Sequence, residues 1–429
     1  MELIKTVNFV VLWLFFICYS YQLLYIPAAL LYRPRRRRTE KLNRIAVLIA
    51  ARNEEAVIGN LLDSIAGQSY PAGFVETFVV ADNCTDGTAA VAAAHGANVV
   101  ERRDPIHVGK GYALNYLLQR ITGRFDAYIV LDADNVLDRD FIREINRTYS
   151  EGYPIVTCYR NSKNYGDNWI SAGYALWFLR EARYLNGARM AIGSSCAVSG
   201  TGFLFSDEVL RRCGGWNFFL LTEDIQFTIH AVTRGERIGY AANAVLYDEQ
   251  PVTFKQSWHQ RMRWSRGYLQ VFGRYGGNLI RGIFRGSFSC YDMTMNIMPA
   301  AVLTAVTAVV NVTGAVLMFR TGGTLTELGL SLGQTVLGMC GTVFLLGVIT
   351  TVTEWKNIFC PAWKKILYMF TFPVFMLTYI PICIASLFVD PGWKPIRHTR
   401  ALTAGQIAGE TGGESPQTMR ARVVGIRRL

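Results

Sequence analysis

Charge is scarce in this chain. Only 18% of its 429 residues are Asp, Glu, Lys or Arg, where about 25% is ordinary for a soluble domain. Cysteine and histidine carry little signal either. The nine cysteines include no C-x-x-C pair, and the five histidines do not cluster with them. That disfavours a zinc site or a disulfide framework, and reduced thiols are expected. Two nucleotide-binding signatures are also missing. No G-x-G-x-x-G follows a strand, which removes a dinucleotide site. Val108-Gly109-Lys110-Gly111 lacks the full G-x-x-x-x-G-K-[ST] spacing of a P-loop.

What the chain has in excess is apolar residues, 51% of the total, too many for a disordered polymer. They concentrate at the two ends. Leu3–Leu31 is long enough to cross a bilayer, which takes about 20 helical residues. It runs into Arg33, Arg35, Arg36, Arg37 and Arg38 and not into a small-residue cleavage site. An uncleaved anchor is therefore expected over residues 1–32, with a basic cytoplasmic linker over 33–44. Arginines used in this way, within a net charge of +12, point to membrane lipids as partners and away from nucleic acid.

Later apolar segments are Pro299–Phe319, Leu328–Val352 and Ile366–Val389. The first two are expected to span the membrane within residues 293–352. The third carries Pro373 and Pro381, so within 353–399 it is expected to bend back or lie along the interface, leaving the C-terminus cytoplasmic. Residues 400–429 are rich in Gly, Thr and Arg and are expected to be disordered. The whole is expected to be an integral plasma-membrane protein with a cytoplasmic catalytic domain.

Residues 45–250 read differently. Short apolar runs at Ile45–Ala51, Phe74–Ala81, Asn98–Glu101, Ala127–Leu131 and Pro154–Cys158 alternate with helices starting near Asn53, Thr85 and Lys110. Such alternation signals βαβ units and a parallel α/β sheet. Ligands of these sheets bind beyond the carboxyl ends of the strands. Three loops deliver acids there: Glu54 with Glu55, Asp82 with Asp86, and Asp132 with Asp134. Helix capping accounts equally well for the first two groups. Asp132-Ala133-Asp134 is harder to explain that way. Two carboxylates one residue apart raise each other's pKa unless a cation joins them, and hard oxygen ligands suit Mg²⁺ or Mn²⁺ with substrate phosphates. Lys110, opening a helix, can reach a phosphate.

Seven motifs in order give this chain a family likeness: Ala51-Arg52-Asn53-Glu54, Asp82 with Thr85-Asp86-Gly87, Gly109-Lys110-Gly111, Asp132-Ala133-Asp134, Gly200-Thr201-Gly202, Thr222-Glu223-Asp224 and Gln260-Arg261-Met262-Arg263-Trp264. The chain resembles the membrane-bound inverting family-2 glycosyltransferases of the cellulose, chitin and hyaluronan synthase group. That resemblance implies a GT-A (Rossmann-like) domain over 45–250 and amphipathic interface helices with a Q-x-x-R-W motif over 251–292. It also implies a UDP-sugar donor. Asp82 and Glu54 would face the nucleobase, Lys110 the diphosphate, and Asp132 with Asp134 the metal and sugar diphosphate. Asp224 would be the general base. Gly200, Thr201, Gly202 and Glu223 would shape the acceptor side.

Gln260, Arg263 and Trp264 stand at i, i+3 and i+4 and so share a helix face. Gln260 and Arg263 are expected on the donor, and the Trp264 indole on the acceptor. Arg261, Arg266 and Trp258 around them suit a helix lying at the membrane interface. Trp393-Lys394-Pro395-Ile396-Arg397-His398 sits where relatives carry a gating loop.

The leading expectation is a processive synthase polymerising a β-linked polysaccharide and moving it across the membrane. The runner-up is single-sugar transfer to a lipid. A transporter that only senses nucleotide sugars is the alternative from another class, and it has no use for Asp224 as a base.

Overall fold

The computed structural model describes residues 2–33, 41–320, 325–392, 398 and 400–409. Its sheet grows from β1 (Ile45–Ala51), an uninterrupted apolar run whose residues are nearly all buried. Ala46 and Leu48 point into one core, while Ile45, Val47 and Ile49 point into the other, because successive side chains alternate across a strand. The remaining strands are β2 (Val75–Asp82), β3 (Asn98–Arg102), β4 (Ala127–Asp132), β5 (Val136–Leu137), β6 (Ile155–Ser162), β7 (Phe203–Ser206) and β8 (Ile238–Asp248). They lie in the order β3-β2-β1-β4-β7-β6-β8-β5.

The first four strands pair in parallel, as expected, but β7 runs antiparallel to both β4 and β6. The sheet is therefore mixed, as in a GT-A fold, and not purely parallel. Gly202 admits β7 to this place. Its φ is +68°, and a Cβ on it would overlap the Leu246 side chain and the Cys158 sulfur.

Helices α1 (Glu2–Tyr19) and α2 (Tyr21–Leu31) precede the sheet. Within the domain come α3 (Ile58–Ala66), α4 (Thr88–Ala94), α5 (Lys110–Leu118), α6 (Phe141–Ser150), α7 (Trp169–Arg180), α8 (Gly187–Ala191), α9 (Asp207–Arg212) and α10 (Glu223–Thr233). Between α7 and α8 the helix widens into a π turn over Glu181–Asn186. Then follow α11 (Phe254–Phe284), α12 (Phe288–Ile297), α13 (Pro299–Arg320), α14 (Leu325–Thr353), α15 (Ala362–Leu377), α16 (Tyr379–Phe388) and α17 (Ala404–Gly409). α3 and α6 fill one side of the sheet, while α5, α7, α10, α11 and α12 fill the other.

Among the described residues, two stretches are long and apolar enough to cross a membrane, Thr6–Leu31 and Ala362–Phe388. α13 and α14 coincide with the two expected spans, and many of their side chains lie outside the described residues. So do most of the basic linker (34–40), residues 393–397 of the candidate gating stretch, and the tail from 410 onward.

Polar contacts dock the outer helices on the domain. Arg189 of α8 and Asp292 of α12 form a fully buried ion pair, at 1% and 0% side-chain exposure. The Tyr21 and Tyr25 hydroxyls of α2 donate to the two oxygens of that same Asp292. Arg261 of α11 is likewise not at a lipid interface. Fully buried, it donates to the Phe375 carbonyl and the Thr378 hydroxyl, where α15 breaks into α16. Arg266 donates to the Ser386 and Leu387 carbonyls at the end of α16. Carbonyls left over at a helix end need donors, and these arginines supply them. Beyond α16 the chain returns to the α/β domain: Arg400 binds Glu249 and Asp167, and Ile407 packs on Val136 and Tyr247.

Candidate active site

Two loops at the carboxyl edge of the sheet are laced together. Asn53 and Asn83 both take left-handed backbone angles, φ 58° and 53°, a conformation that asparagine tolerates better than most residues. The turn at Asn53 delays α3 until Ile58, so Asn53 does not cap a helix as its neighbours in sequence led one to expect. It accepts the Thr85 N–H at 2.8 Å. Glu55 accepts the Gly87 N–H at 2.7 Å, and the Glu54 N–H reaches the Thr88 hydroxyl. Glu55 and Asp86 are thus structural here, and Glu54 keeps its carboxylate free of this lacing.

Asp82 ends β2 and is 4% exposed. The β2–β3 register sets Arg102 directly opposite it, and the guanidinium donates to Asp82 at 2.6 Å. Burial raises the Asp82 carboxyl above its ordinary pKa, with Arg102 pulling the other way.

Lys110 opens α5 and forms an ion pair with Asp132 while donating to the Gly200 carbonyl at 2.8 Å. The N–H of the same Gly200 donates to Asp224 at 2.6 Å. One glycine therefore joins the cation of the donor side to the expected base. Thr201 turns inward: its hydroxyl meets the Asp132 N–H and Asn135, bracing the Asp-Ala-Asp turn. Gly111 serves packing, since a Cβ there would strike the Phe218 carbonyl.

Asp134 is buried and accepts the Glu249 N–H at 2.8 Å. Burial raises its pKa, but His398, Lys163 and that N–H outweigh burial and hold it below the ordinary value. His398 lies against Glu54, Nδ1 to oxygen 2.9 Å. Burial opposes its charge, yet Asp134 and Glu54 push it up to about 10. Burial raises Glu54, which His398 partly offsets.

Glu223 and Asp224 open α10. Burial and the Asp224 charge push Glu223 up to about 7, against Lys110 and Arg263. On α11, Arg263 donates to the Leu221 carbonyl at 3.3 Å. Among the described residues the buried Gln260 side-chain oxygen meets no hydrogen-bond donor. Trp264 packs edge-on against Tyr174 and Phe178, at 5.7 and 6.0 Å between ring centres.

Trp264 also lines a cavity of about 310 Å³ with a mostly apolar wall. Arg160, Glu181 and Asp224 form one end; Val343, Met376 and Ile380, from α14, α15 and α16, belong to its apolar wall. The sequence reading did not find this cavity, nor Glu181, Arg102 or the Arg160–Asp248 ion pair. Pairing β3 against β2 in register would have found Arg102. Nothing local marks the other three.

Among the described residues no three His, Cys, Asp or Glu side chains converge as metal ligands. Asp132 and Asp134 are the carboxylates of one turn, the former on Lys110 and the latter on the Glu249 N–H, and Mg²⁺ or Mn²⁺ is commonly held by one or two carboxylates plus substrate phosphates and water.

Comparison with known proteins adds the following. The family described as "Glycosyltransferase like family 2" matches residues 43–267, just over half of the chain. A β-monoglucosyldiacylglycerol synthase from Synechocystis is 29% identical over 237 residues, 54% of this chain and 49% of the relative. A poly-β-1,6-N-acetyl-D-glucosamine synthase from Staphylococcus aureus is 26% identical, covering 55% of this chain and 57% of the relative. The chain thus spans about half the length of the curated relatives it matches. The GT-A architecture is shared with a mannosyltransferase from Pyrobaculum calidifontis solved with GDP-Man and Mn²⁺. Its TM-score is 0.59 at 18% identity, over 89% of this chain and 99% of that one. The expectation of a processive polysaccharide synthase is corrected by the first of these relatives, an enzyme named for a lipid carrying one glucose.

Proposed function

The chain belongs to glycosyltransferase-like family 2, and we propose that it transfers one sugar from a UDP-sugar to the hydroxyl of a lipid, inverting the anomeric carbon. The observation that carries this reading is the cavity: Asp224 stands on its wall, and much of the rest of that wall is apolar and comes from α14, α15 and α16. An amphiphilic acceptor satisfies both features, with its hydroxyl at the carboxylate and its chains among the helices. Within the family, this reading favours kinship with lipid glycosyltransferases over the cellulose, chitin and hyaluronan synthase group.

In this reading Asp82 and Glu54 border the nucleoside pocket, and Lys110 exchanges Asp132 for the diphosphate. Asp132 and Asp134 would hold a divalent ion, which when bound neutralises charge on the departing diphosphate. Arg263 and Gln260 complete the donor side. Asp224 accepts the proton of the acceptor hydroxyl as its oxygen bonds to the anomeric carbon and the bond to the diphosphate breaks. The Gly200 N–H orients that base, Gly202 and Thr201 fix the turn beside it, Glu223 flanks it, and Trp264 walls the acceptor cavity. The apolar Thr6–Leu31 and Ala362–Phe388 stretches support an integral membrane enzyme. The return of Arg400 to the catalytic domain supports an α15–α16 segment that bends back.

The test is purified enzyme with individual UDP-sugars and a panel of dioleoylglycerol, its monoglucoside and N-oleoylsphingosine, products read by mass spectrometry. A glycolipid heavier by one sugar is expected. A ladder of polymer with no glycolipid overturns the reading.

A further inference from the structure

Glu181 has no part in the roles assigned above. It is the first residue of the π turn between α7 and α8, and such turns are rare and frequent at functional sites. Its side chain lines the same cavity as Asp224. The contacts it makes there are thin. The Ser199 hydroxyl donates to it at 3.3 Å, and among the described residues it is in no ion pair. The cations that act on it are committed elsewhere, Arg180 donating to the Gln22 side chain at 2.7 Å. Arg160 pairs with Asp248 and lies 3.6 Å from the centre of the Phe178 ring, and Arg189 is buried against Asp292. Burial raises the Glu181 carboxyl, Arg160 and Arg189 lower it, and the Asp224 charge raises it again. The two carboxylates therefore act on each other across one end of the cavity.

An empty cavity leaves water to solvate that end. A bound lipid expels the water, and a carboxylate that loses its hydration without a replacement donor is costly. We propose that Glu181 is an acceptor-positioning residue that reads a second hydrogen-bond donor on the lipid head. The preferred acceptor then carries its reacting hydroxyl, presented to Asp224, beside another hydroxyl or an amide N–H, presented to Glu181. A diacylglycerol has a single hydroxyl and satisfies Asp224 alone. A glycosylated diacylglycerol or an N-acyl sphingoid satisfies both. This deepens the lipid-acceptor reading and rests on it.

The experiment uses the full chain in phosphatidylcholine nanodiscs with the UDP-sugar it turns over. Dioleoylglycerol, dioleoylglycerol monoglucoside and N-oleoylsphingosine are the acceptors. Wild type is expected to show at least a tenfold higher kcat/KM with one of the two-donor acceptors than with dioleoylglycerol. Glu181→Ala erases that preference through the acceptor KM, with the KM for UDP-sugar unmoved. Glu181→Gln, which keeps an accepting oxygen, retains part of it. UDP affinity reports whether each variant is folded, and the wild-type acceptor comparison decides even where a variant is not. Equal use of the three lipids by wild type overturns the proposal, as does a Glu181→Ala variant that lowers kcat alike for all of them. Glycolipid formed without preference sinks only the role of Glu181, whereas polymer without glycolipid sinks the lipid acceptor itself.

Discussion

In the proposed reading, the donor and acceptor sides of this site are built on opposite plans. On the donor side the charges are already matched: Asp82 with Arg102, Asp132 with Lys110, Glu54 with His398. On the acceptor side, among the described residues, Asp224 takes a single backbone N–H and Glu181 a single hydroxyl, beside a wall that is mostly apolar. A nucleotide diphosphate is highly charged and can trade partners with ion pairs, so a pre-paired site keeps its geometry without substrate. A lipid hydroxyl brings no charge to exchange, and a base held by a strong cation would be a poorer proton acceptor. Pre-pairing thus suits the charged substrate and sparse pairing the neutral one.

The comparison breaks most visibly at the base. Asp224→Asn is expected to lower transfer by about 10²–10⁴-fold while UDP affinity, measured by calorimetry, stays at the wild-type value. More than a tenth of wild-type turnover in that variant removes Asp224 from the role. Next in size is metal withdrawal, a purely donor-side insult. Chelator should abolish transfer and weaken UDP binding, Mn²⁺ or Mg²⁺ should restore both, and full activity in excess chelator would refute the assignment of Asp132 and Asp134.

Trp264→Ala sharpens the other half. Loss of the indole from the cavity wall should raise the acceptor KM by about tenfold and leave the UDP-sugar KM alone. A change confined to the donor KM would put Trp264 on the wrong side. The smallest effect concerns the seam between the two sides. Glu223 has a folded pKa of about 7 against an ordinary 4.5. Between those values the unfolded chain gives up its proton while the folded chain keeps it, so stability present at low pH is lost as pH rises through about 7. Thermal melts of wild type and Glu223→Gln should diverge between pH 5 and 8, wild type falling more steeply; parallel curves would show that burial does not hold the proton on Glu223.

The ends of the strands and the acids on them were legible in the sequence because a buried parallel strand is a run of apolar residues with a sharp polar end. β1 has the bounds its apolar run marked, and α5 starts at Lys110 as expected. α3 starts at Ile58 and α4 at Thr88, later than Asn53 and Thr85 led one to expect, because left-handed asparagines extend those loops. β7 is four residues long, and the β6–β8 pairing contains a bulge between Cys158 and Tyr159; neither leaves a clear period-two pattern. The acids could be seen, but not their partners, since Arg102, His398 and Arg160 meet them only through strand register or through distant chain. The proposed acceptor class was hidden for the same reason. Lipid and polysaccharide enzymes share much of this motif set, whereas the apolar wall assembles from α14, α15 and α16.

The contact between α2 and Asp292 changes what the N-terminal segment is. A tether could be severed without loss to the machine it holds. Here two of the donors that satisfy a carboxylate in the interior, the phenols of Tyr21 and Tyr25, arrive from that segment. Cutting the chain ahead of β1 to obtain a soluble catalytic half would leave Asp292 with Arg189 alone and open a dry ion pair to water. The N-terminal helix is in that sense a keystone, since it closes an interior polar cluster of the domain it precedes.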